Sequence, residues 1–295
     1  MTANCPGCKN ESPLIFRAMD FNRKTTSERF NYYRCPSCRL IFLSPNPNDL
    51  GKYYPENYYS IPSSIGELAK AAECELYKID IVKRFASGGR LLEIGPANGS
   101  FIYLAKQAGF DAEVIEMDSK CCRFICETIG VKVIQSNDPS EALKGVENYN
   151  VIALWQVIEH LPEPWETLEA ISKKLKPGGV LIIAAPNPEA FQFRVLGRFW
   201  PHVDAPRHLT LIPLSLLAKQ ALSLGLKPRW STTADKGALG WNAFGWVYFL
   251  TNFTNRRYMK AGLGVVGRIV SSILGPIERL NSLGSAYTAV FQMEK

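Results

Sequence analysis

The stretch that decides the fold reads Arg90-Leu91-Leu92-Glu93-Ile94-Gly95-Pro96-Ala97-Asn98-Gly99-Ser100. Its apolar first half is typical of a short strand that is buried on both faces of a parallel sheet. Two glycines end this strand, and the residues after Ser100 have the composition of a helix. Open α/β sheets bind nucleotides at such a turn, because glycines let the backbone approach the ligand and the helix offers free N–H groups.

The acid in this stretch indicates the kind of ligand. The spacing Glu-x-Gly-x-x-x-Gly differs from the Gly-x-Gly-x-x-Gly fingerprint of dinucleotide sites, and Glu93 would repel a pyrophosphate. An acidic side chain here suits a ligand with a cationic end. The motif resembles the first motif of class I S-adenosylmethionine (SAM) methyltransferases, whose acid lies beside the ammonium of the cofactor. The resemblance implies cofactor contacts from Glu93, Gly95, Pro96, Asn98 and Gly99.

Strand-like and helix-like segments alternate from residue 90 onward, which predicts βαβ units and a parallel sheet. The predicted strands are 90–95, 112–116, 131–134, 149–154 and 179–185, and the predicted helices are 99–108, 119–129, 165–175 and 213–223. The pattern also predicts a helix over 65–86, a sixth strand over 226–230 and a last strand over 286–291. Ligands of such sheets bind at the carboxyl ends of the strands.

The loops after the second and third strands carry the candidate contacts to the nucleoside. Glu116 lies about 20 residues after the first turn, where an acid can accept hydrogen bonds from both ribose hydroxyls. Met117 is expected to pack against the adenine, and Asp118 to cap the next helix. Asn137 and Asp138 are candidates for reading the adenine amino group.

Two further segments specify the resemblance. Residues 151–164 resemble the corresponding segment of the ubiquinone-pathway O-methyltransferases, and residues 175–181 resemble that family's turn into its fifth strand. The resemblance implies a SAM-dependent methyltransferase with a Rossmann-like α/β sheet. It also implies cofactor contacts from Trp155, Gln156 and Tyr59. For the Tyr-rich segment 53–59, an aromatic hinge between domains is the alternative.

Some relatives, including small-RNA 2′-O-methyltransferases, read Glu-x-x-Glu-His after the fourth strand and bind a divalent metal there. This chain has Gln156 in place of the first acid, followed by Glu159 and His160, with His208 downstream. An amide is a poorer ligand for a hard cation than a carboxylate. A second divalent site at Glu159, His160 and His208 therefore stays open, with bracing of the loop as the alternative.

The three histidines of the chain all fall on loops at the predicted active edge of the sheet. A neutral imidazole can take the proton of an acceptor hydroxyl during methyl transfer. His208 is the first candidate for the catalytic base and His160 the second. The alternatives are that each histidine orients a loop, or that catalysis rests on positioning alone.

Two Cys-x-x-Cys pairs mark the amino-terminal segment, with 26 residues between them. Their thiolates form the tetrahedral set that structural zinc requires, and they predict a zinc ribbon over residues 1–45. The ligands are Cys5, Cys8, Cys35 and Cys38. A redox role is the competing hypothesis. Four protein ligands leave no open coordination position, so this Zn²⁺ is expected to be structural.

Length and composition describe a globular protein with an appendage. The chain has 295 residues, of which 46% are hydrophobic and 21% are charged. Its first residues lack the basic and apolar parts of a secretory signal, so we expect a cytoplasmic protein with thiols rather than disulfides. The net charge of +7 is concentrated in residues 1–40 and 236–285. Basic segments suit an anionic partner or are simply solvated.

A helical insertion is predicted over residues 236–284, inside a methyltransferase domain formed by 46–235 and 285–295. The insertion has an aromatic stretch over 238–250 and an apolar helical stripe over 263–277 with basic flanks. Neither piece is expected to reach the ~20 uninterrupted apolar residues of a spanning helix. A pair of helices in a membrane interface, a lid, a dimer contact and core packing remain open.

The resemblance implies the transfer of a methyl group from SAM to an oxygen, in preference to a nitrogen or carbon, of a small or lipid-linked acceptor. One alternative is an RNA methyltransferase that grips RNA with its ribbon, but residues 1–40 are only modestly basic. The other is a non-catalytic SAM-binding scaffold, which the intact Glu93, Gly95 and Glu116 disfavour. The acceptor and the oligomeric state do not follow from the sequence.

Overall fold

The computed structural model describes residues 1–55, 58–280 and 282–294. Glu56 and Asn57 of the Tyr-rich segment, Asn281 of the predicted insertion and Lys295 of the predicted methyltransferase domain lie outside the described residues.

The amino-terminal segment forms an antiparallel sheet of five strands. Its strands, in chain order, are β1 (Thr2–Asn4), β2 (Glu11–Met19), β3 (Arg29–Arg34), β4 (Ile41–Leu43) and β10 (Thr210–Leu211). Thr210 of β10 pairs with Phe42 of β4, so the ribbon continues into a strand from the larger sheet's domain. The ribbon is therefore attached to a loop that follows His208 directly.

Two short helices, α1 (Ile65–Ala72) and α2 (Leu76–Lys83), precede the larger sheet. The prediction of a single helix over 65–86 is wrong, because a 3₁₀ turn at Glu73–Glu75 separates them. Leu68 of α1 and Ile79 and Val82 of α2 nevertheless pack in the same apolar cluster. The periodicity therefore predicted the buried face but not the break between the two helices.

The larger domain consists of β5 (Arg90–Ile94), α3 (Ser100–Gln107), β6 (Asp111–Glu116), α4 (Ser119–Phe124), β7 (Lys132–Gln135), α5 (Pro139–Lys144), β8 (Tyr149–Trp155), α6 (Pro164–Lys174), β9 (Leu175–Pro186), α7 (Phe191–Leu196), α8 (Leu214–Ser223), β11 (Leu226–Thr232) and β12 (Ala286–Met293). Its sheet has seven strands in the order β11-β12-β9-β8-β5-β6-β7. Strands β5 to β9 run parallel, and β12 is antiparallel to both of its neighbours. This arrangement confirms the predicted Rossmann-like α/β fold.

Two predicted boundaries in this domain need correction, and two helices were missed. The helix predicted over 119–129 is α-helical only to Phe124 and continues as one π-helical turn, Ile125–Ile129. Strand β9 begins at Leu175 rather than at 179, since its first residue already pairs with Tyr149 of β8. Helices α5 and α7 were not predicted, because each has only six residues and too short a periodic pattern.

The central strands are buried on both faces, as their apolar runs require. Leu92 and Ile94 of β5 belong to one apolar cluster, and Leu91 belongs to the cluster on the opposite face. Alternate residues of a strand point to opposite faces, so five residues fill both layers. The carboxyl end of β5 is thereby fixed, and with it the glycine turn that follows.

The insertion folds into two helices, α9 (Lys236–Thr251) and α10 (Arg257–Glu278). They pack closely, because a Cβ on Gly267 of α10 would lie 2.6 Å from the Cα of Val247. Within the described residues, α10 is the one helix whose length and composition suffice to cross a membrane. The expectation that the insertion lacks ~20 uninterrupted apolar residues still holds, because Arg257, Lys260 and Arg268 lie within α10.

Candidate active site

The glycine turn after β5 has the backbone that a close-approaching ligand needs. Gly95 and Gly99 have φ values of 68° and 80°, a region that disfavours other residues. A Cβ on Gly95 would also lie 2.7 Å from a methyl group of Val157. Ala97 shares the positive φ and donates its N–H to Glu116 Oε2 at 3.1 Å. The turn is thus tied to the end of β6.

Glu93 at the end of β5 is a buried acid with an unpaired oxygen. Its side chain is 2% exposed, and Oε2 has no hydrogen-bond partner among the described residues. Burial raises the pKa of Glu93 to about 8, although the charge of Lys78 acts in the opposite direction. A cationic ligand would supply the interaction that the carboxylate lacks, as expected for the ammonium of SAM.

Glu116 is held in place by three backbone N–H groups. Oε1 accepts hydrogen bonds from Met117 N and Asp118 N, both at 2.8 Å, and Oε2 accepts the one from Ala97. Burial nevertheless raises the pKa of its carboxyl group. A carboxylate has about four lone-pair sites, so Glu116 keeps one for a ribose hydroxyl. Its role stays a prediction that this geometry supports.

The two candidates for adenine recognition differ in their environment. Asn137 lines the large cavity of the molecule, together with Met117. The Asp138 carboxylate instead caps α5, where Oδ1 accepts hydrogen bonds from Ser140 N at 3.0 Å and Glu141 N at 3.2 Å. Asp118 caps α4 in the same way, as predicted. Asn137 is therefore the better placed of the pair, and both assignments stay predictions.

Two cavities meet at the carboxyl edge of the sheet. The smaller, of about 660 Å³, is lined by Glu93, Gly95, Pro96 and Asn98. The larger, of about 950 Å³, is lined by Glu116, Met117 and Asn137, and extends to the histidine loops. The residues that line both cavities include Tyr58, Tyr59, Gly95, Ala97, Trp155, Gln156, Trp241 and Phe244. The structure thus brings together the predicted cofactor residues, apart from Asp138 and Gly99, around one continuous space.

Part of the larger cavity has walls that the motifs did not reveal. Tyr54, Trp241, Phe244 and Tyr248 line it, and the last three belong to α9. The Tyr54 hydroxyl lies 3.0 Å from Nδ1 of His160. The aromatic run of the insertion was the available signal for these walls, but its position over the cavity depends on tertiary structure.

Glu159 lies at the base of this part of the cavity. Its side chain is 1% exposed, and neither carboxylate oxygen has a partner within the described chain. Burial raises the pKa of Glu159 to about 8. An acid without a partner at this depth is costly unless a cation or a proton neutralises it.

The hydrogen bond of His208 indicates which of its ring nitrogens carries the proton. His208 Nδ1 lies 2.8 Å from the carbonyl of His202 and, because a carbonyl only accepts, Nδ1 must donate, which leaves Nε2 with a free lone pair. His160 Nδ1 lies 3.1 Å from the carbonyl of Arg207 and 3.0 Å from the hydroxyl of Tyr54, which can donate, so its contacts permit either tautomer. One ligand atom from each histidine and from Glu159 lie within 4.8 Å of one another.

Burial keeps these histidines neutral. It lowers the pKa of His208 to about 3, and it also lowers the pKa of His160. The third histidine, His202, packs against Trp200 and Trp241 and lies 3.2 Å from the carbonyl of Trp241. Since its own carbonyl accepts from His208, His202 supports the loop rather than facing Glu159.

A fully buried arginine holds the histidine loop to the ribbon. Arg207 Nη2 donates to Asp20 Oδ1 at 2.6 Å and to Asp204 Oδ1 at 2.8 Å, and Nη1 donates to the carbonyl of Tyr53 at 3.2 Å. Burial alone would raise the pKa of Asp204, but the bonds from Arg207 outweigh it and hold the pKa at about 2. Ribbon, Tyr-rich segment and His208 loop thus share one buried ion cluster.

The four ribbon cysteines converge. The sulfur atoms of Cys5 and Cys38 lie 3.5 Å apart, those of Cys8 and Cys35 3.3 Å, and those of Cys8 and Cys38 3.7 Å. A tetrahedral site with Zn–S bonds of about 2.3 Å requires sulfur separations of roughly 3.8 Å. The four sulfurs can therefore hold a zinc ion after a shift of a few tenths of an ångström.

The chain belongs to the methyltransferase domain family, whose model matches residues 69–229, more than half of its length. It is a SAM-dependent methyltransferase, as the resemblance implied. A ubiquinone biosynthesis O-methyltransferase of Bordetella avium is 27% identical over 185 residues, which cover 59% of this chain and 75% of the relative. The ubiquinone biosynthesis O-methyltransferase of Aromatoleum aromaticum is 25% identical over 230 residues, which cover 74% of this chain and 96% of the relative.

Solved structures agree on the fold. An O-methyltransferase family protein from Burkholderia thailandensis superposes with a TM-score of 0.50 at 12% identity, over 78% of this chain and 59% of that one. A Bacillus halodurans protein, provisionally named a methyltransferase, gives a TM-score of 0.52 at 12% identity, over 75% and 99% of the two chains. At such identities the likeness establishes the architecture alone.

Proposed function

We propose that this enzyme methylates a hydroxyl oxygen of a small or lipid-linked acceptor that binds in the larger cavity. The observation that carries the proposal is the junction of the two cavities at Tyr59, Trp155 and Gln156. A methyl donor on one side of this junction and an acceptor on the other would meet directly. The O-methyltransferase relatives support oxygen as the acceptor atom.

On the donor side, the chain's own residues bind and orient the cofactor. When bound, SAM supplies an activated methyl group on a positively charged sulfur. Glu93 pairs with the cofactor's ammonium, Glu116 accepts hydrogen bonds from its ribose, and the Gly95 turn admits it close to the backbone. These contacts fix the direction in which the acceptor must approach, and orientation of this kind lowers the barrier without covalent help.

On the acceptor side, the unpaired Glu159 carboxylate and one ring nitrogen from each of His160 and His208 suit a divalent cation. Their donor set of two imidazoles and one carboxylate matches the ligands that such ions take in proteins. A cation there would lower the pKa of a bound hydroxyl. In the absence of an ion, Nε2 of His208 is the atom that would accept the proton of the acceptor hydroxyl.

At the ribbon, we propose a structural Zn²⁺ on the four cysteines. Both knuckles have the same backbone pattern, in which the residue after the second cysteine, Lys9 or Arg39, adopts a positive φ and donates its N–H to the first cysteine's carbonyl. Two matching knuckles present four sulfurs to one point. The ion would hold together a segment too small to fold on its own core.

The test supplies SAM with a labelled methyl group to the protein together with separate fractions of small metabolites, lipids and RNA. We expect label in a small-molecule or lipid fraction, reduced at least ~100-fold in Glu159→Gln, since a charged ligand is lost. Glu163→Gln, an exposed acid four residues away, is the matched control. Label in RNA alone would overturn the acceptor class, and SAM binding without transfer to any fraction would indicate a scaffold.

A second experiment, with a chelator, shows whether His208 acts as a metal ligand or as the base. If a divalent cation is bound, removal of free divalent ions stops transfer and their return restores it, while the ribbon zinc stays in place. Transfer that is unaffected in a protein shown to have lost all divalent metal except zinc would leave His208 as the base.

A further inference from the structure

Helix α10 carries an apolar face that no described residue covers. Its buried side, which includes Gly264 and Gly267, packs on α9. At 100° per residue, the opposite side of the helix carries Ile269 and Ile273, which are 53% and 68% exposed. The exposed apolar residues of the segment 253–280 are Phe253, Tyr258, Met259, Val265, Val266, Ile269, Ile273, Ile277 and Leu280. Monomeric proteins rarely expose such a continuous stripe without a partner.

The charges beside this stripe have one sign. Arg257, Arg268 and Arg279 are each separated by 11 residues, which is close to three full turns, so they form a row along one edge of the stripe. All three are exposed. Residues 236–277 contain no Asp or Glu, and the acid that follows, Glu278, is buried and accepts hydrogen bonds from Gln192 and Trp246.

The turn between the two helices has the composition of a membrane interface. Phe253 and Tyr258 are 61% and 69% exposed, and Arg256 and Lys260 lie beside them. Aromatic rings sit preferentially at the headgroup level of a bilayer, next to basic side chains. A second copy of the chain would fit this surface poorly, because it would bring more cations and no exposed α10 acid to pair with them.

We infer that α10 docks the enzyme on the surface of a bilayer that contains anionic phospholipid, with its apolar stripe in the interface and its arginine row on the headgroups. A surface position fits better than a span. One face of α10 is already packed on α9, and Arg268 lies at the middle of the helix, where a charge in the hydrocarbon core is costly.

Docking through α10 would place the acceptor cavity two helix layers away from the lipid. Trp241, Phe244 and Tyr248 of α9 line the cavity, while Val247 of the same helix packs against α10. Both helices therefore separate the cavity from the docked surface, a distance of roughly 20 Å at about 10 Å per helix layer. This last step rests on the proposed function and favours a lipid-linked acceptor. The docking itself depends only on α10.

Vesicle co-sedimentation of the whole chain tests the docking. We expect binding to vesicles with about one third anionic phospholipid, weak binding to neutral vesicles, and loss of binding at high salt. Neutralising Arg257, Arg268 and Arg279 to Gln should lower the partition coefficient ~100-fold, because each basic residue near an anionic surface contributes about fivefold. Ile269→Asp with Ile273→Asp should abolish binding.

Matched controls keep the test interpretable. Neutralising Lys70, Lys83 and Lys219 removes the same charge from exposed positions on other helices, and Leu222→Asp places an acid on an exposed apolar site of α8. Both should bind vesicles like the unmodified chain, and every variant should retain its SAM affinity in calorimetry.

Several outcomes would overturn the docking. Equal binding to neutral and anionic vesicles would do so, and so would binding of the α10 variants to vesicles as strongly as the control variants bind. A dimer that is seen in light scattering and that Ile269→Asp dissociates would also do so. Failure of vesicle binding with methyl transfer intact would refute the docking and leave the proposed function standing. Vesicle binding without methyl transfer would refute the proposed function and leave the docking standing.

Discussion

Replacing Glu93 by Gln separates the cost of burying this carboxylate from its use in binding. With a pKa of about 8, Glu93 is protonated in most molecules at pH 7, whereas the cofactor's ammonium pairs with the ionised form. Below the pKa, the fraction of molecules with an ionised Glu93 rises roughly tenfold per pH unit, and the apparent affinity for SAM rises in proportion. We therefore expect the Kd for SAM to fall about tenfold from pH 6 to pH 7.

The same shift fixes the sign of a stability effect. Because the folded pKa of Glu93 lies above its unfolded value, its proton stabilises the fold fully below about pH 4.5, and this contribution is lost as the pH rises through about 8. Glu93→Gln imitates the protonated form. It should leave the ligand-free protein at least as stable at pH 8 as the unmodified chain, while its affinity for SAM is low and varies little with pH.

Calorimetry from pH 6 to pH 7 measures the binding, and thermal unfolding of the ligand-free protein measures the stability. The window stays below the pKa of about 8 typical of an α-amino group, so the ligand keeps its charge throughout. An unmodified chain whose Kd does not change with pH would refute the reasoning. A Glu93→Gln variant that binds SAM as tightly as the unmodified chain would also refute it.

Two predictions concern the parts that position the site. Arg207→Met leaves Asp20 and Asp204 buried without their cation. We therefore expect chemical denaturation to show a loss of about 3–5 kcal/mol in the free energy of unfolding. Adding Asp20→Asn to the same chain should recover part of this loss. A loss below ~1 kcal/mol would show that the cluster does not hold the ribbon. Cys35→Ser should reduce bound zinc from one ion per chain to none and expose the ribbon to protease, and a chain that keeps its full zinc content would contradict the four-cysteine site.

The parallel sheet and the cofactor turn were predictable because local patterns encode them. Leu91 and Ile94 are apolar because both faces of β5 are covered, and the strand must end where Gly95 takes a positive φ. Glu116 follows from its distance along the chain after that turn. Each of these features needs only a few neighbouring residues to be recognised.

Contacts between distant segments were not predictable in this way. Asp20 and Arg207 are 187 residues apart, and no local pattern indicates that they pair. Strand β10 has only two residues, so its place beside β4 depends on the ion cluster and the packing around it. The histidine loop was correctly placed at the active edge, but the neutral state and free Nε2 of His208 follow from carbonyl contacts that only the structure reveals.

The composition of the insertion indicated which kinds of surface it could form, but not where each surface would lie. Its aromatic stretch and its apolar stripe left a membrane element, a lid, a dimer contact and core packing open. The structure divides these roles between two helices, since α9 lines the cavity while α10 presents Ile269 and Ile273 to solvent. The division depends on Gly267, which lets the helices approach and fixes which faces meet.

The central claim is that two carboxylates at the ends of β5 and β6 bind the methyl donor. Calorimetric titration of Glu116→Ala with SAM at pH 7.5 tests it most directly, with Glu127→Ala, an exposed acid on the following helix, as control. Loss of one charged hydrogen bond to a ribose hydroxyl, at about 1.5–3 kcal/mol, predicts an affinity ~10- to 100-fold weaker. An unchanged Kd in a folded, zinc-containing Glu116→Ala protein would contradict the account.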